Sequence, residues 1–278
     1  MSLPAFRFAP SPNGELHLGH AYSALLNARM AMEHGGRFLI RIEDIDTVRC
    51  TAELAAGALA DLAWLGLAWE EPVRVQSRHM NDYAATQKRL ADMGLLYPCF
   101  CSRKDIAAQS VEGRRDPEGQ PLYPGTCRGV TASEIEDRIA RGIPYALRLD
   151  MRLALSRLAV VPSFVEQGKT VTADPAPWGD VILARKDIGT SYHIAVVTDD
   201  ALQGISHVVR GRDLHAATTI HRLLQELLGL PAPTYHHHEL IGDETGRKLS
   251  KSAGDISLRT LREQGVSAAD IRRALGFA

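Results

Sequence analysis

A chain of 278 residues with 45% hydrophobic content carries enough apolar side chains for a sizeable buried core, arranged as one large domain or two moderate ones. A formal net charge of −1 and a pI near 6.8 exclude a protein coated in basic residues, so any nucleic-acid contact has to come from local patches such as Arg114, Arg115, Arg272 and Arg273. No run approaches the ~18 apolar residues of a membrane span. The opening MSLPAFRFAPSPNG also lacks the basic-then-apolar pattern of a secretory signal. A cytoplasmic, reducing location is therefore expected, with Cys50, Cys99, Cys101 and Cys127 as free thiols or metal ligands.

The chain opens as strand, turn, helix, strand. AFRFAP is short and apolar, SPNGELHLGH is a turn rich in Pro and Gly, AYSALLNARMAMEH has helical periodicity, and RFLIRIED is again strand-like, which together predict a β-α-β unit. Helical patterns follow at Ala52 to Leu65 and Asn81 to Met93. The texture changes at YPCFC: from about Tyr97 to Lys186 come a cysteine cluster, the polar stretch QSVEGRRDPEGQP, and the strand-like pieces PYALRLD and WGDVIL, which predict an inserted subdomain. HIAVVTDD and ISHVVRG read as strands, followed by the helix HAATTIHRLLQELLG, the strand YHHHELIG, the loop GRKLSKSAGD and one or two closing helices. The predicted architecture is α/β: a split Rossmann-type parallel-sheet catalytic domain from residues 1–96 and 187–252, an inserted subdomain over 97–186, and a short helical remainder over 253–278.

HLGH, His17 to His20, falls where the first strand turns into the first helix. A helix amino terminus offers unpaired backbone N–H groups and a partial positive charge, a natural seat for phosphate. Gly19 permits close backbone approach, and the two imidazoles can donate hydrogen bonds to phosphoryl oxygens. Taken alone, such a pair is equally compatible with surface histidines near a turn. KLSKS alters the balance, because Lys248 and Lys251 lie past another expected strand of the same sheet and could neutralise triphosphate charge during attack at the α-phosphate.

Cys99-x-Cys101 followed by Tyr123-x3-Cys127 offers three thiolates and a phenol, a set able to hold Zn2+ tetrahedrally, with packed ordinary thiols as the other reading. C-x-C is a weaker signal than C-x-x-C, and a tyrosine ligand is unusual at a reference pKa of about 10. His236 to His238 cannot all converge on one ion, because adjacent strand residues alternate faces, and the run is read as structural. Cys50 has no partner in sequence and reads as a small side chain at a helix start.

FRFAPSPNGELHLGHA and GRKLSKS resemble the two signatures of the class I aminoacyl-tRNA synthetases, specifically the glutamyl branch. RIEDIDTVR, QSRHMNDYAATQKRLADMGLLYPCFCS, SYHIAVVTDDALQGISHVVRGRDL and HHELIGDETGRKLSKS follow that branch's pattern in the same order, so the resemblance runs from Phe6 to Ser252. It implies that Arg7, Ser11, Glu43, Tyr192 and Arg210 line an amino-acid pocket. Two arginines, one carboxylate and a phenol are charge-complementary to free glutamate. Glu43 would take the ammonium and Arg210 with Tyr192 the side-chain carboxylate, while the division of the two carboxylates between the arginines stays open. The resemblance further implies that His17, Gly19, His20 and Lys251 bind ATP, that His17, His20, Lys248 and Lys251 stabilise the transferring phosphoryl group with Mg2+ accompanying ATP, and that Cys99, Cys101, Tyr123 and Cys127 hold one structural Zn2+.

The acceptor follows from the same resemblance. Glutamyl-tRNA synthetases continue past the lysine loop into a large helical portion that reads the anticodon, whereas only SLRTLREQGVSAADIRRALGFA follows Asp255 here. That length matches members of the branch that activate glutamate without tRNA and transfer it to the queuosine base in the anticodon of tRNA(Asp), with the inserted subdomain binding the acceptor. The expected partners are ATP, L-glutamate and queuosine-bearing tRNA(Asp), for a monomer with no membrane attachment. A truncated glutamyl-tRNA synthetase that charges a tRNA 3′ end and a noncatalytic RNA-binding paralogue are the alternatives.

Overall fold

The structure is a computed structural model that describes residues 3–242 and 256–277. The elements run β1 (Ala5–Phe8), α1 (Leu18–Glu33), β2 (Arg37–Ile42), α2 (Ala52–Trp64), β3 (Glu70–Val75), α3 (Met80–Asp92), β4 (Leu96–Cys99), α4 (Arg103–Gln109), α5 (Ala132–Ala140) and β5 (Ala146–Leu149). The second half holds α6 (Met151–Ser156), β6 (Ser163–Glu166), β7 (Lys169–Thr172), β8 (Ile182–Ala184), α7 (Tyr192–Leu202), β9 (His207–Gly211), α8 (Ala217–Leu228), β10 (Thr234–His238), α9 (Leu258–Glu263) and α10 (Ala268–Ala274).

Seven strands form the main sheet in the order β3-β2-β1-β9-β10-β6-β7, parallel except for the closing β6–β7 hairpin. β1 and β2 are buried along nearly their whole length, Arg7 and Arg41 included, as expected of central strands in a parallel sheet. On one face Phe6, Phe8, Ile40 and Ile42 pack with α1, α2, Leu258, Ile271 and Phe277. A second core gathers Tyr83 and Leu90 of α3, Ile194 to Val197 of α7, and Ile220, Leu223 and Leu224 of α8. Asn27, fully buried, joins α1 to the sheet by donating to the carbonyls of Ser23 at 2.8 Å and Val209 at 3.0 Å. The chain leaves β1 toward β2 on one side and the return strand β9 lies on the other. The crevice at the carboxyl ends of β1 and β9 is thus the topological switch point, where ligands bind in open α/β sheets.

Two features differ from the sequence expectation. HIAVVTDD lies in helix α7, not in a strand: Ser191 caps it by accepting from the Ile194 N–H, and Ile194 to Asp200 are buried without a break. A helix enclosed on every side shows no 3.6-residue periodicity, so its apolar run resembles a buried strand. Within the stretch read as an insertion, β4, β5 and β8 form a separate three-stranded antiparallel sheet, whereas β6 and β7 extend the main one through β10. No helix among the described residues is long and apolar enough to cross a membrane.

Candidate active site

A cavity of about 1050 Å³ opens at the switch point, and its lining includes Arg7, Ser11, His17, Gly19, His20, Glu43, Tyr192 and Arg210. Eight residues chosen from the sequence therefore share one space. Lys248 and Lys251 lie outside the described residues.

The amino terminus of helix α1 forms one end of the cavity. His17 is its N-cap, with Nδ1 accepting the Gly19 N–H at 3.1 Å, while His20 Nδ1 accepts the His17 N–H at 3.1 Å. In the neutral rings both protons consequently sit on Nε2, which makes each imidazole a donor. The rings lie 3.8 Å apart, and the first turn holds no acidic residue to compete with an anion. A Cβ on Gly19 would stand 3.0 Å from His17 Cε1, so the cap geometry depends on glycine.

The two pocket arginines differ in their partners. Arg7 is bound bidentately by Asp200, at 3.0 and 3.3 Å, and so arrives already neutralised. Burial pushes the Asp200 carboxyl up, but Arg7 and Arg41 outweigh it and leave it lowered. Arg210, also buried, donates only to neutral groups: His237 Nε2 at 3.2 Å, Tyr192 Oη at 3.2 Å, His221 Nδ1 at 3.3 Å and Thr218 Oγ1 at 2.6 Å. Among the described residues no carboxylate pairs with it. Burial and then Arg210 push the His193 imidazole down to about 4, and hold His221 well below its ordinary value. Among the described residues the guanidinium thus sits in a shell of neutral rings and hydroxyls, with no carboxylate bonded to it.

Glu43 sits at the carboxyl end of β2 and accepts from Arg41 Nε at 3.3 Å and Nη2 at 2.9 Å, both on Oε1. Burial raises its carboxyl, against the pull of Arg41 and Arg7. Beneath the pocket runs a network that the motifs did not reveal. Arg41, fully buried, reaches Asp200 at 2.7 Å, and Asp199 accepts from Arg74 at 2.6 Å, Gln76 at 2.8 Å and Tyr83 at 2.9 Å. The signal available was an arginine inside the apolar strand RFLIRI and two aspartates ending an apolar run, since buried charges require partners. Cys50 is buried behind the pocket with Sγ 3.5 Å from Ser11 Oγ.

Away from this cavity, at the end of β4, the Cys99, Cys101 and Cys127 thiols all lie within 4.8 Å of one another. Tyr123 Oη is 3.4 Å from Cys99 Sγ and 4.0 Å from Cys101 Sγ, which is itself 3.5 Å from Cys127 Sγ. Ligands about 2.3 Å from a tetrahedral zinc stand roughly 3.8 Å apart, so the donor set suits that ion. Burial, with the Cys127 and Cys99 thiols beside it, pushes the Cys101 thiol up to about 11, whereas burial of the Cys127 thiol is outweighed by hydrogen bonds from the Phe100 backbone, Tyr123 and Cys101, which leave it lowered. Arg148, missed in the sequence, lies 3.8 Å over the Tyr123 ring. His237 and His238 go to different partners, Glu166 and the Glu239 carbonyl, as strand alternation requires.

Comparison with known proteins converges on one family. The sequence model of the tRNA synthetases class I (E and Q), catalytic domain, matches residues 5–276. A glutamyl-Q tRNA(Asp) synthetase of Rhodobacter capsulatus is 46% identical over 98% of this chain and 99% of its own length, and one of Symbiobacterium thermophilum is 40% identical over 94% and 82%. A crystal structure of the glutamate-tRNA synthetase of Elizabethkingia anophelis superposes with a TM-score of 0.75 at 27% identity, covering 92% of this chain, which spans 54% of that longer one.

Proposed function

Because the chain belongs to the class I tRNA synthetase (E and Q) family and is a ligase of that family, we propose that it activates glutamate with ATP, without tRNA, and transfers it to the queuosine base in the anticodon of tRNA(Asp). The observation that carries the first half is Arg210, a buried guanidinium with only neutral acceptors, in the same cavity as Glu43 and the amino terminus of α1. A carboxylate entering the cavity meets an unneutralised cation there, whereas Arg7 is already held by Asp200. The glutamate side-chain carboxylate is accordingly assigned to Arg210 and Tyr192. Its ammonium is assigned to Glu43, whose Oε1 is taken by Arg41, which leaves Oε2 for the amine.

In the first step an α-carboxylate oxygen of glutamate attacks the α-phosphorus of ATP. The bond to the bridging oxygen breaks, and pyrophosphate leaves glutamyl-adenylate behind. His17 and His20 donate from Nε2 to phosphate oxygens, Gly19 lets the α1 N–H groups approach, and Lys248 and Lys251 neutralise the triphosphate, whose charge Mg2+ shares when ATP is bound. In the second step a nucleophile on the acceptor attacks the glutamyl carbonyl and AMP leaves. Cys99, Cys101, Tyr123 and Cys127 would hold a structural zinc that ties the loop after β4 to the small sheet, which presents the acceptor-binding subdomain. Support for the queuosine acceptor comes from the names of the relatives that match over most of their own length. A cytoplasmic monomer is the form in which it would act.

The test is ATP–pyrophosphate exchange with glutamate in the absence of tRNA, followed by transfer of labelled glutamate to tRNA(Asp) with and without queuosine and to unmodified tRNA(Glu). Exchange without tRNA and labelling of only the queuosine-bearing tRNA are expected. Labelling of tRNA(Glu) alone would mark a glutamate–tRNA ligase, and no exchange at any glutamate concentration would mark a noncatalytic RNA-binding chain.

A further inference from the structure

Glu166 stands 44 positions before Arg210 in the sequence, in the hairpin that extends the main sheet. Strand register makes the two near neighbours. His237 on β10 lies opposite Arg210 on β9, and Tyr235, two residues earlier, lies opposite Glu166 on β6. A continuous line results: Arg210 Nε to His237 Nε2 at 3.2 Å, His237 Nδ1 to Glu166 Oε1 at 2.9 Å, and His215 Nε2 to Glu166 Oε2 at 3.2 Å. Glu166 Oε1 also accepts the His237 backbone N–H at 3.2 Å.

The line has a direction. A guanidinium only donates, so His237 Nε2 accepts and the hydrogen-bond network assigns the proton of the neutral ring to Nδ1, where Glu166 receives it. Burial, then the charge of Arg210, holds His237 down to about 4. Burial pushes the Glu166 carboxyl up, but its bonds and attraction to His237 outweigh that and leave it lowered, hence ionised at neutral pH. Glu166, His215 and His237 also stand close enough to ligate a cation. Metal on Nδ1, however, would move the His237 proton to Nε2, directly against the Arg210 N–H, so the donors do not suit that use.

We infer that Glu166 and His237 are positioning residues for Arg210: the carboxylate fixes the tautomer and tilt of His237, and His237 fixes the guanidinium. The anion stays one imidazole away from Arg210 instead of on it, so the guanidinium is oriented without being neutralised, the opposite of the direct Asp200–Arg7 pair. His215 holds the second oxygen of Glu166 and keeps the carboxylate turned toward His237. This inference rests on the function proposed above.

The experiment is ATP–pyrophosphate exchange on the full chain, with glutamate and ATP varied separately, for the wild type and for Glu166→Ala, Glu166→Gln and His237→Phe. Glutamine keeps an amide oxygen for the Nδ1–H, and phenylalanine keeps the ring stacked against Tyr235 while removing the acceptor for Arg210. Glu166→Ala and His237→Phe should each raise the KM for glutamate about tenfold, equivalent to about 1.4 kcal/mol, with the KM for ATP within about twofold of wild type. Glu166→Gln should recover most of the loss. If Glu166→Ala does not fold, His237→Phe decides. An unchanged glutamate KM, or a rise matched by that for ATP, overturns the inference while leaving the proposed function standing. A wild type without glutamate-dependent exchange defeats both.

Discussion

Replacing Arg41 and Arg210 separately by methionine should distinguish stranding an anion from losing a ligand contact. Both side chains are buried, and methionine keeps the length and apolar stem of each. Arg41 stands 2.9 Å from Glu43, 2.7 Å from Asp200 and 3.7 Å from Asp199. Its loss leaves Glu43 without its guanidinium partner and Asp200 with Arg7 alone. Removing one member of a buried ion pair costs about 3–5 kcal/mol, and protonation of the stranded carboxyl limits the cost to that range. Arg210→Met strands no anion: the four groups it leaves are neutral, and a buried charge without a counterion disappears. A loss below about 2 kcal/mol is expected, because removing a buried charge that lacks a counterion offsets much of what the lost guanidinium hydrogen bonds contributed. Urea unfolding followed by circular dichroism measures both. In glutamate-dependent exchange Arg210→Met should raise the KM about 100-fold, because the substrate carboxylate would enter a site with no cation to meet it. Equal stability losses, or a glutamate KM indifferent to Arg210, would refute the partition of charge between the two arginines.

Other outcomes can be checked with simple assays. Gly19→Ala should reduce the exchange kcat about tenfold while melting stays near wild type, since the helix gains up to about 1 kcal/mol in propensity as the new Cβ, 3.0 Å from His17 Cε1, displaces the cap. An unaffected kcat would remove His17 from its assigned place. His193 is neutral in the fold, held down to about 4 against an ordinary 6.5. The unfolded chain therefore binds the extra proton first, and the stability that His193 contributes is present above pH 6.5 and lost as pH falls toward 4, by roughly 3 kcal/mol at most. His193→Gln should flatten urea midpoints measured across that window, and parallel profiles would contradict the neutral buried ring. Elemental analysis of protein purified without chelator should find about one zinc per chain, reduced by Cys99→Ser, as expected of a four-donor site; a wild-type content near zero would reject the site.

What the sequence made legible was whatever depends on local pattern. The β1–turn–α1 segment, the HLGH cap and the Cys-x-Cys pair are short and contiguous, and they carry the residue types their chemistry requires. Eight expected pocket residues meet in one cavity because each sits near the carboxyl end of a strand, in the loop that follows it, or at a helix start, positions that motifs mark directly. Helix α7 was misread because complete burial erases periodicity. The support beneath the pocket was invisible for another reason. Arg41, Asp199, Asp200, Glu166 and His237 act through cross-strand and helix-to-sheet distances, and nothing in SFVE or TDD announces which arginine it will face. A buried charge in an apolar segment shows that a partner exists, and only the strand order identifies it.

The Asp200 contacts also bear on how the chain comes together. This carboxylate reaches Arg7 across 193 positions and Arg41 across 159, and Asn27 meets Val209 across 182. No shorter stretch emerging from the ribosome holds both members of these pairs, so the Asp200 bonds to Arg7 and Arg41 form only once α7 has been made and docked. Pocket formation is then part of closing the middle of the sheet between β1 and β9, and has no independent local stage. A ligand that fills the pocket should accordingly slow hydrogen exchange across the strands of that central join, since binding the native state alone shifts the whole folding equilibrium.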